Sequence, residues 1–351
     1  MTMSEHELND VDGNRALPET DGDGPQASDP TWEGLDQDKV IDLVESTGRI
    51  SDLRAMPLNS YENRVWQVGL EDADPIVLKI YRPNRWSDEQ LIEEHEFSRQ
   101  LAQADVPVVA PLYNEDGDSL LRYQRFQFTC YPRRGGYAPA LDDMDNLYQL
   151  GQILGRIHAV GAVQNYEHRP TLNVDSFGHQ SAEYLLEHWI PSELRPAFET
   201  LSRDLLEQCD AIWKRVSPTL LRVHGDCHAG NILSRDGDIH FVDLDDSRMA
   251  PAIQDLWMFL SGDRNAQSAA LAELVEGYNE FYDFHPGELP LIEVLRSLRI
   301  LHHSAWLGRR WQDPAFPRAF PWFGNENYWA RHILELREQL ANLQEDPLKL
   351  F

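Results

Sequence analysis

The chain has 351 residues, which exceeds one average domain and predicts two lobes or two domains. Its 59 acidic and 31 basic side chains give a formal net charge of −28, a field that repels a nucleic-acid backbone and argues against nonspecific DNA or RNA binding. The three cysteines are widely spaced and form no CxxC pair, and no apolar run reaches the ~18–20 residues that span a bilayer. We therefore expect a cytoplasmic protein with no membrane partner.

The first half of the sequence predicts an acidic tail followed by a small sheet with one main helix. Residues 1–35 are rich in Asp, Gly, Glu, Pro and Ser and nearly free of large apolar side chains, so we expect them to be disordered. A short helix over 36–45 follows the tail. Ser87 is the candidate N-cap of the main helix, which the apolar spacing extends to about Ala104. Apolar runs bounded by turn signals predict four strands, at 61–70, 76–81, 119–123 and 126–131.

The second half is helical apart from one β-rich interlude over 220–242. Helical periodicity is found at 144–159, 183–189, 195–216, 252–261, 266–281, 289–311 and 327–343. A small β-rich lobe joined by a short hinge to a larger helical lobe is the arrangement of kinases. The sequence therefore predicts an α+β, bilobal, protein-kinase-like fold. We expect a small antiparallel sheet and one main helix in an N-terminal ATP-binding lobe over 36–132, and a mostly helical catalytic and substrate lobe over 133–351.

The stretch HGDCHAGNIL, together with the FVDLD that follows it, carries the chemistry. Transfer of a γ-phosphoryl group needs an in-line hydroxyl, a carboxylate that orients it and accepts its proton, and metal ions that neutralise charge on the phosphate oxygens. Asp226 fits the role of this carboxylate, and Asn231 and Asp243 offer the hard oxygen ligands that Mg²⁺ prefers. An Asp-Gly turn between the two segments predicts a hairpin that returns Asp243 to the same end as Asn231. The predicted catalytic pair is Asp226 and Asp243, and the predicted metal ligands are Asn231 and Asp243.

Two competing hypotheses for this stretch are weaker. A hairpin that merely carries solvated acids would leave the apolar segments around each acid without a role. His224, Cys227 and His228 can also be considered as metal ligands, but without a second His/Cys cluster they offer too few donors for a closed zinc site. We expect His224 to hold the loop through hydrogen bonds.

A lysine that grips the phosphates of ATP is expected in the first half. Lys79 lies in the apolar strand IVLKIY, and we predict that it pairs with the α- and β-phosphates. Its orienting partner should be a glutamate on the next helix. Glu93 and Glu94 both qualify; the spacing to Leu101 favours Glu94.

Neither a G-x-x-x-x-G-K-S/T loop nor a G-x-G-x-x-G loop occurs in the sequence. The candidate phosphate cover is instead LNSYENR at 58–64, in which Ser60 can donate its hydroxyl or its backbone amide to a phosphate oxygen. An ordinary polar β-turn is the alternative for these residues. Tyr131, which with Pro132 ends an apolar strand, is the expected hinge where adenine contacts the backbone.

With these residues in place, the sequence resembles the bacterial stress response kinase A family, in the group that also holds aminoglycoside phosphotransferases, choline kinases and homoserine kinases. The resemblance covers about 57–323. HGDCHAGNI alone indicates the wider group, whereas LNSYENRV, QDLWM and DPAFP together are much narrower. Further strings that carry it are VLKIYRPNRW, LIEEHEF, VPVVAP, HRPT, FVDLDDSR and RRWQDPAFP.

The resemblance implies a role for several of these positions. It implies Asp226 as proton acceptor, Asn231 and Asp243 as magnesium ligands, and Ser60 at the ATP site. It also implies that Asp255 is a structural acid that braces the catalytic loop. Members of the family it resembles are cytoplasmic, monomeric kinases that act on serine and threonine hydroxyls of proteins and are linked to stress.

The sequence therefore leads to one main hypothesis and two rivals. The main hypothesis is an ATP- and Mg²⁺-dependent serine/threonine protein kinase in stress response. The second is a small-molecule kinase with the same site and an alcohol or aminoglycoside acceptor. The third is an ATP-sensing pseudokinase, against which the intact set of Lys79, Asp226, Asn231 and Asp243 argues. Gly225 stands where eukaryotic-type protein kinases have an arginine, so phosphate-triggered ordering of an activation loop is not expected.

Overall fold

A computed structural model of the chain describes residues 30–350. The N-terminal lobe contains a five-stranded antiparallel sheet with the order β1-β2-β3-β5-β4. Two helices accompany this sheet, α1 (Gln37–Glu45) and α2 (Asp88–Gln103). The strands are β1 (Ser51–Leu58), β2 (Arg64–Leu70), β3 (Ile76–Ile80), β4 (Leu121–Tyr123) and β5 (Phe126–Pro132).

The main helix α2 begins as predicted at its N-cap. The Ser87 hydroxyl accepts a hydrogen bond from the Gln90 amide, and the Gln90 side chain accepts one from the Ser87 amide, which forms a capping box. Leu91, Phe97 and Leu101 are buried on one face. Burial of this face sets the position of α2, the helix that carries both candidate glutamates.

The C-terminal lobe is mostly helical and holds two short, two-stranded antiparallel sheets. β6 (Leu221–Val223) pairs with β9 (Arg248–Ala250), and β7 (Ile232–Arg235) pairs with β8 (Asp238–Phe241). The helices are α3 (Met144–Gly161), α4 (Gln180–His188), α5 (Arg195–Val216), α6 (Arg264–Tyr278), α7 (Leu291–Arg310), α8 (Ala315–Ala319) and α9 (Glu326–Asn342). The predicted α+β, bilobal, protein-kinase-like fold is confirmed.

One predicted helix is wrong, and strands β1 and β9 and the short helix α8 were not predicted. Strand β1 was missed because its apolar side chains do not alternate in burial: Leu53 and Met56 are exposed on the edge of the sheet. The helix predicted over 252–261 is wrong, since two short 3₁₀ turns, Ala252–Asp255 and Trp257–Phe259, replace it. Strand β9 was also missed, because three residues are too few to show a period.

The predicted disordered tail lies outside the described residues up to position 29. Its last part departs from the prediction, because Pro30–Trp32 forms a 3₁₀ turn and Trp32 is buried in the apolar core of the five-stranded sheet. The cause is the large apolar surface of Trp32, whose burial offsets the cost of ordering the turn. The boundary between the lobes at 132/133 stays a prediction.

Among residues 30–350, no helix has both the length and the apolar character needed to cross a bilayer.

Glycines allow α3 and α6 to pack with their backbones in contact. A Cβ added at Gly151 would lie 2.0 Å from the carbonyl oxygen of Leu274, and one added at Gly277 would lie 2.1 Å from that of Tyr148. Backbone atoms cannot move aside as a flexible side chain can. The close approach of these two helices therefore requires glycine on both of them.

We predict that Gly151→Ala lowers the free energy of unfolding by about 1–3 kcal/mol, because the added methyl overpacks this contact. Urea unfolding measures the change. Gly324→Ala is the control, since its Cβ would meet Trp311 at an ordinary 3.6 Å. Equal stability of the two variants would contradict the close packing of α3 on α6.

Candidate active site

The β7–β8 hairpin brings the two predicted metal ligands to the same end, as the sequence predicted. Ile232 pairs with Phe241, and the Val242 amide donates to the Asn231 carbonyl at 3.0 Å. The side-chain amide nitrogen of Asn231 donates to the carbonyl of Asp226 at 2.9 Å. This bond uses the nitrogen inside the loop, so the amide oxygen of Asn231 is the atom that can bind a cation. Asp243 follows directly after the hairpin, in the left-handed backbone region with φ of 61°.

The loop that carries Asp226 is held by hydrogen bonds to the fully buried carboxylate of Asp255. Its two oxygens accept the backbone amides of His224 at 2.7 Å and Gly225 at 2.9 Å. The ring of His158 donates from Nε2 to the same carboxylate at 3.0 Å. This geometry agrees with the bracing role that the resemblance implied for Asp255.

Two further features fix the shape of this loop. Gly225 has φ of 89°, and a Cβ there would lie 2.2 Å from the carbonyl oxygen of Asp246, so a side chain would be both strained and obstructed. His224 donates from Nε2 to the Val242 carbonyl at 2.9 Å, which joins the loop to the hairpin. His224 therefore acts in the structure as the sequence predicted, through hydrogen bonds.

Asp226 pairs with an arginine that the sequence did not single out. Its Oδ1 accepts from Arg299 on α7 at 2.6 Å, and its Oδ2 lies 3.4 Å from Nε2 of His228. Burial raises the pKa of Asp226, but the Arg299 guanidinium and the His228 ring outweigh it and hold the pKa well below its usual range. No sequence signal distinguishes Arg299 from an ordinary helix arginine, because the two residues are far apart in the chain.

Lys79 contacts the metal-ligand end of the hairpin. Its ammonium lies 2.6 Å from Oδ1 of Asp243 and 3.3 Å from Oδ1 of Asp245. Burial lowers the pKa of Lys79, but these two carboxylates outweigh it and hold the pKa well above its usual value. Lys79 is therefore a cation at the point where Asp243 meets the cleft.

The pairing of Lys79 with Glu94 stays a prediction. Glu94 is buried on α2, where one of its oxygens accepts from the Ser98 hydroxyl at 3.1 Å, while the ion pairs of Lys79 in the structure are with Asp243 and Asp245. Burial raises the pKa of Glu94 to about 7. The charges of Lys79 and Arg169 oppose this effect of burial without outweighing it.

Glu93, the other candidate, has a different task. Its carboxylate accepts the backbone amides of Glu167, His168 and Arg169 at 2.7, 3.0 and 2.9 Å. It therefore anchors a loop of the C-terminal lobe to α2, and it does not contact Lys79.

The Ser60 hydroxyl is used within its own turn. It donates to the carbonyl of Asn63 and accepts from the amide of Val65, both at 3.1 Å. Of the two donors considered for Ser60, the backbone amide is thus the one that remains for a phosphate. Asn63 also reaches across the cleft, because its side chain donates to Asp245 at 3.1 Å.

A cleft of about 730 Å³ lies between the lobes, and most of the predicted site residues line it. Six of them line it: Ser60, Lys79, Tyr131, Asp226, Asn231 and Asp243. Glu94 is the exception. The expected contact of adenine with the backbone at Tyr131 stays a prediction.

The donor set fits a magnesium ion that shares its coordination with phosphates. Asp243 and Asn231 supply two oxygen ligands at one end of the hairpin. Within residues 30–350, no group of three or more His, Cys, Asp or Glu side chains can hold a metal ion. Within that range His224, Cys227 and His228 therefore do not come together as a metal-binding group. Magnesium is commonly held by one or two protein oxygens together with substrate phosphates, and Asn231 and Asp243 offer two such oxygens.

Comparison with known proteins places the chain in a family. Residues 54–292 match the model of the APH phosphotransferase enzyme family. Stress response kinase A of Escherichia coli strain K12 is 45% identical over 329 residues, which is 91% of this chain and 97% of the relative. The chain belongs to this phosphotransferase family, and within it to the stress response kinase A group. The kinase is also 43% identical, over the same shares of both chains, to the serine/threonine protein kinase RdoA of Salmonella typhimurium strain LT2.

A solved structure agrees on the fold of this kinase. The amicoumacin kinase hAmiN, in complex with AMP-PNP, Ca²⁺ and Ami, superposes with a TM-score of 0.68. The superposition covers 90% of this chain and 96% of that chain, at 18% identity. At this identity the likeness concerns the fold alone.

We predict that Asp255→Asn lowers the free energy of unfolding by about 1–3 kcal/mol and disorders the catalytic loop. An amide has one acceptor oxygen, so it cannot accept from both backbone amides, and one of them is left buried without a partner. Hydrogen exchange at His224 and Gly225 should become faster. Asp204→Asn, in an exposed pair with Arg203, is the control. Unchanged exchange in the loop would contradict the bracing role.

Proposed function

We propose that this kinase transfers the γ-phosphate of ATP, with Mg²⁺, to serine or threonine hydroxyls of protein substrates. The observation that carries the proposal is the convergence of Asp226, Asn231, Asp243 and Lys79 in one interlobe cleft. The names of the relatives, stress response kinase A and serine/threonine protein kinase RdoA, support the protein acceptor and a role in stress response. The predicted cytoplasmic location and monomeric state belong to the proposal.

Each side chain has a role that its position allows. Asp226 orients the acceptor hydroxyl and takes its proton as the oxygen bonds to the γ-phosphorus and ADP leaves. Lys79 holds the α- and β-phosphates by charge, and the backbone amide of Ser60 donates to a phosphate oxygen. Asp243 and Asn231 would hold Mg²⁺, which neutralises charge that develops on the phosphate oxygens.

Arg299 keeps Asp226 in the form that the reaction needs. A proton acceptor must be ionised, and the guanidinium at 2.6 Å favours the carboxylate. Arg299 is therefore a positioning residue that acts through Asp226. Its place on α7 also puts it on the wall that an acceptor contacts.

The wall contributed by α7 favours an acceptor that is not a polycation. Within the part of the chain that the structure describes, this helix contributes no carboxylate to the cleft; its lining residues are Leu295, Leu298, Arg299, His302, His303 and Trp306. Two nearby carboxylates, Asp226 and Asp246, are paired with arginines. An aminoglycoside carries several ammonium groups and would need acidic partners on this wall. The wall thus supports a protein hydroxyl over the aminoglycoside alternative.

We predict that Asp226→Asn and Asp243→Asn each lower phosphotransfer by about 10²–10⁴-fold, since each removes a charge required in the transition state. Labelled ATP with a generic protein acceptor measures the rate, and a parallel panel of aminoglycosides and amino alcohols identifies the acceptor class. Asp236→Asn, at the exposed turn of the hairpin, is the matched control. Full transfer by Asp226→Asn would overturn the assignment, and transfer confined to the small molecules would overturn the protein acceptor.

The pH dependence should report the Arg299 contact. Asp226 must be ionised for transfer, so activity falls as the pH drops through its pKa. Because Arg299 lowers that pKa and burial raises it, Arg299→Gln moves the acidic limb of the pH–rate profile to higher pH. The pKa of Asp226 is held well below its usual range, so between about pH 4 and 8 we expect an acidic limb of kcat for Arg299→Gln and none from Asp226 in the wild type. The same flat profile for both proteins would show that Arg299 does not tune Asp226.

A further inference from the structure

Two of the narrow sequence strings meet at one place between the lobes, through residues that the catalytic chemistry does not use. LNSYENRV forms the loop before β2, and RRWQDPAFP spans the end of α7 and the start of α8. Glu62 from the first string and Asp313 from the second are the acids of this contact. Their side chains are 11% and 4% exposed, so the contact is shielded from solvent.

Glu62 binds α7 through two donors. One carboxylate oxygen accepts from Nε1 of Trp306 at 2.7 Å, and the other accepts from Nε of Arg310 at 2.9 Å. From its own lobe, Arg82 approaches within 3.2 Å and Arg85 within 3.8 Å. Glu62 therefore lies between arginines of both lobes.

Asp313 makes the reciprocal contact. It accepts from Arg64 at 3.3 Å, forms an ion pair with Arg82, and is fixed in place by the Ala315 amide at 3.0 Å. The two arginines come from the N-terminal lobe and the carboxylate from the C-terminal lobe. Arg82 thus contacts both acids.

Several contacts fix Arg82 in a position from which it reaches both Glu62 and Asp313. Its side chain is 9% exposed, and its Nε donates to the Glu62 carbonyl at 2.9 Å. Its guanidinium lies over the rings of Trp32 and Phe316, with 5.5 and 5.9 Å to the centroids. These contacts restrict the rotamers of Arg82, so less side-chain entropy is lost in the ion pairs.

The position of this contact connects the two substrate sites. Glu62 lines the cleft within the loop that contains Ser60, the candidate phosphate cover. Trp306 lines the same cleft from α7, the helix that carries Arg299 against Asp226. A bond from Glu62 to Trp306 therefore joins the cover over the nucleotide to the wall of the acceptor site.

We propose that Glu62, Arg82 and Asp313 are positioning residues that form an interlobe latch, which holds the 58–64 loop closed over the nucleotide. The latch rests on the proposed function in one respect, namely that the nucleotide is ATP. Closing the loop excludes water from the reacting groups. Nucleotide release requires that Glu62 separates from Trp306 and Arg310 of α7, and that Asp313 separates from Arg64 and Arg82 of the N-terminal lobe. Four arginines, Arg64, Arg82, Arg85 and Arg310, surround the two shielded carboxylates, which makes these pairs stronger than exposed ion pairs.

Loop opening in the nucleotide-free protein is the first test. Glu62→Gln and Asp313→Asn keep the shape of the side chains and remove the charge. We expect amide hydrogen exchange in residues 58–64 to become at least about 10-fold faster, while exchange in α9 stays as in the wild type. Asp42→Asn, which breaks an exposed pair with Lys39 on α1, is the matched control and should not change the loop. Unchanged exchange of the loop in both latch variants would overturn the proposal.

Nucleotide release is the second test and separates a positioning role from a merely stabilising one. We expect a fluorescent ATP analogue to dissociate about 5–50-fold faster from Glu62→Gln, with KM for ATP raised more than kcat is lowered. In a double-mutant cycle, Arg310→Gln should add little to Glu62→Gln, because both remove the same pair. A lower melting temperature with an unchanged dissociation rate would overturn the latch. Failure of the wild type to bind any nucleotide would overturn the proposed function, while the exchange measurement would still decide whether the latch exists.

Discussion

The buried carboxylate of Asp255 is the constraint on which the active site depends. Two consecutive backbone amides, those of His224 and Gly225, point at its oxygens, and this forces the chain into the turn that presents Asp226 to the cleft. Such a turn leaves polar backbone groups facing the protein interior, where each would cost about 1–3 kcal/mol without a partner. The carboxylate satisfies both, and His158 in turn holds the carboxylate. The neighbouring hairpin can then place Asn231 and Asp243 relative to a fixed Asp226.

The charges of the site are arranged in pairs despite the strong negative charge of the chain. Asp226 contacts Arg299, Asp243 contacts Lys79, and Asp246 contacts Arg248 at 2.7 Å. Burial and the nearby charges of Asp245 and Asp226 would by themselves raise the pKa of Asp246, and burial would raise that of Asp226. Their arginine neighbours outweigh this and hold both pKa values below the usual range, which keeps the proton acceptor Asp226 ionised. The excess acids of the chain therefore bear on its surface charge and do not set the chemistry of the cleft.

The parts of the site that could be predicted from sequence are those fixed by local chemistry. The Asp-Gly turn was sufficient to predict the hairpin, and with it the meeting of Asn231 and Asp243, because strand register follows from the turn. The capping box at Ser87 was equally local. The contact of Lys79 with Asp243 was not, because the two residues lie 164 positions apart in the chain. Arg299 was missed for the same reason.

Two of the three strings that make the resemblance narrow lie apart from the broad string, whereas the third, QDLWM, contains Asp255 and contacts it. The broad string, HGDCHAGNI, surrounds Asp226 and Asn231, where phosphoryl transfer leaves little freedom of residue type. Two of the narrow strings supply Glu62 and Asp313, which touch the opposite lobe and no reacting atom. A fold that serves many acceptors can keep one catalytic loop and change how its lobes close, since closure decides which acceptor fits between them. The distinction between this kinase group and others of its fold is therefore expected in the contact between the 58–64 loop and α7, more than in the catalytic loop itself.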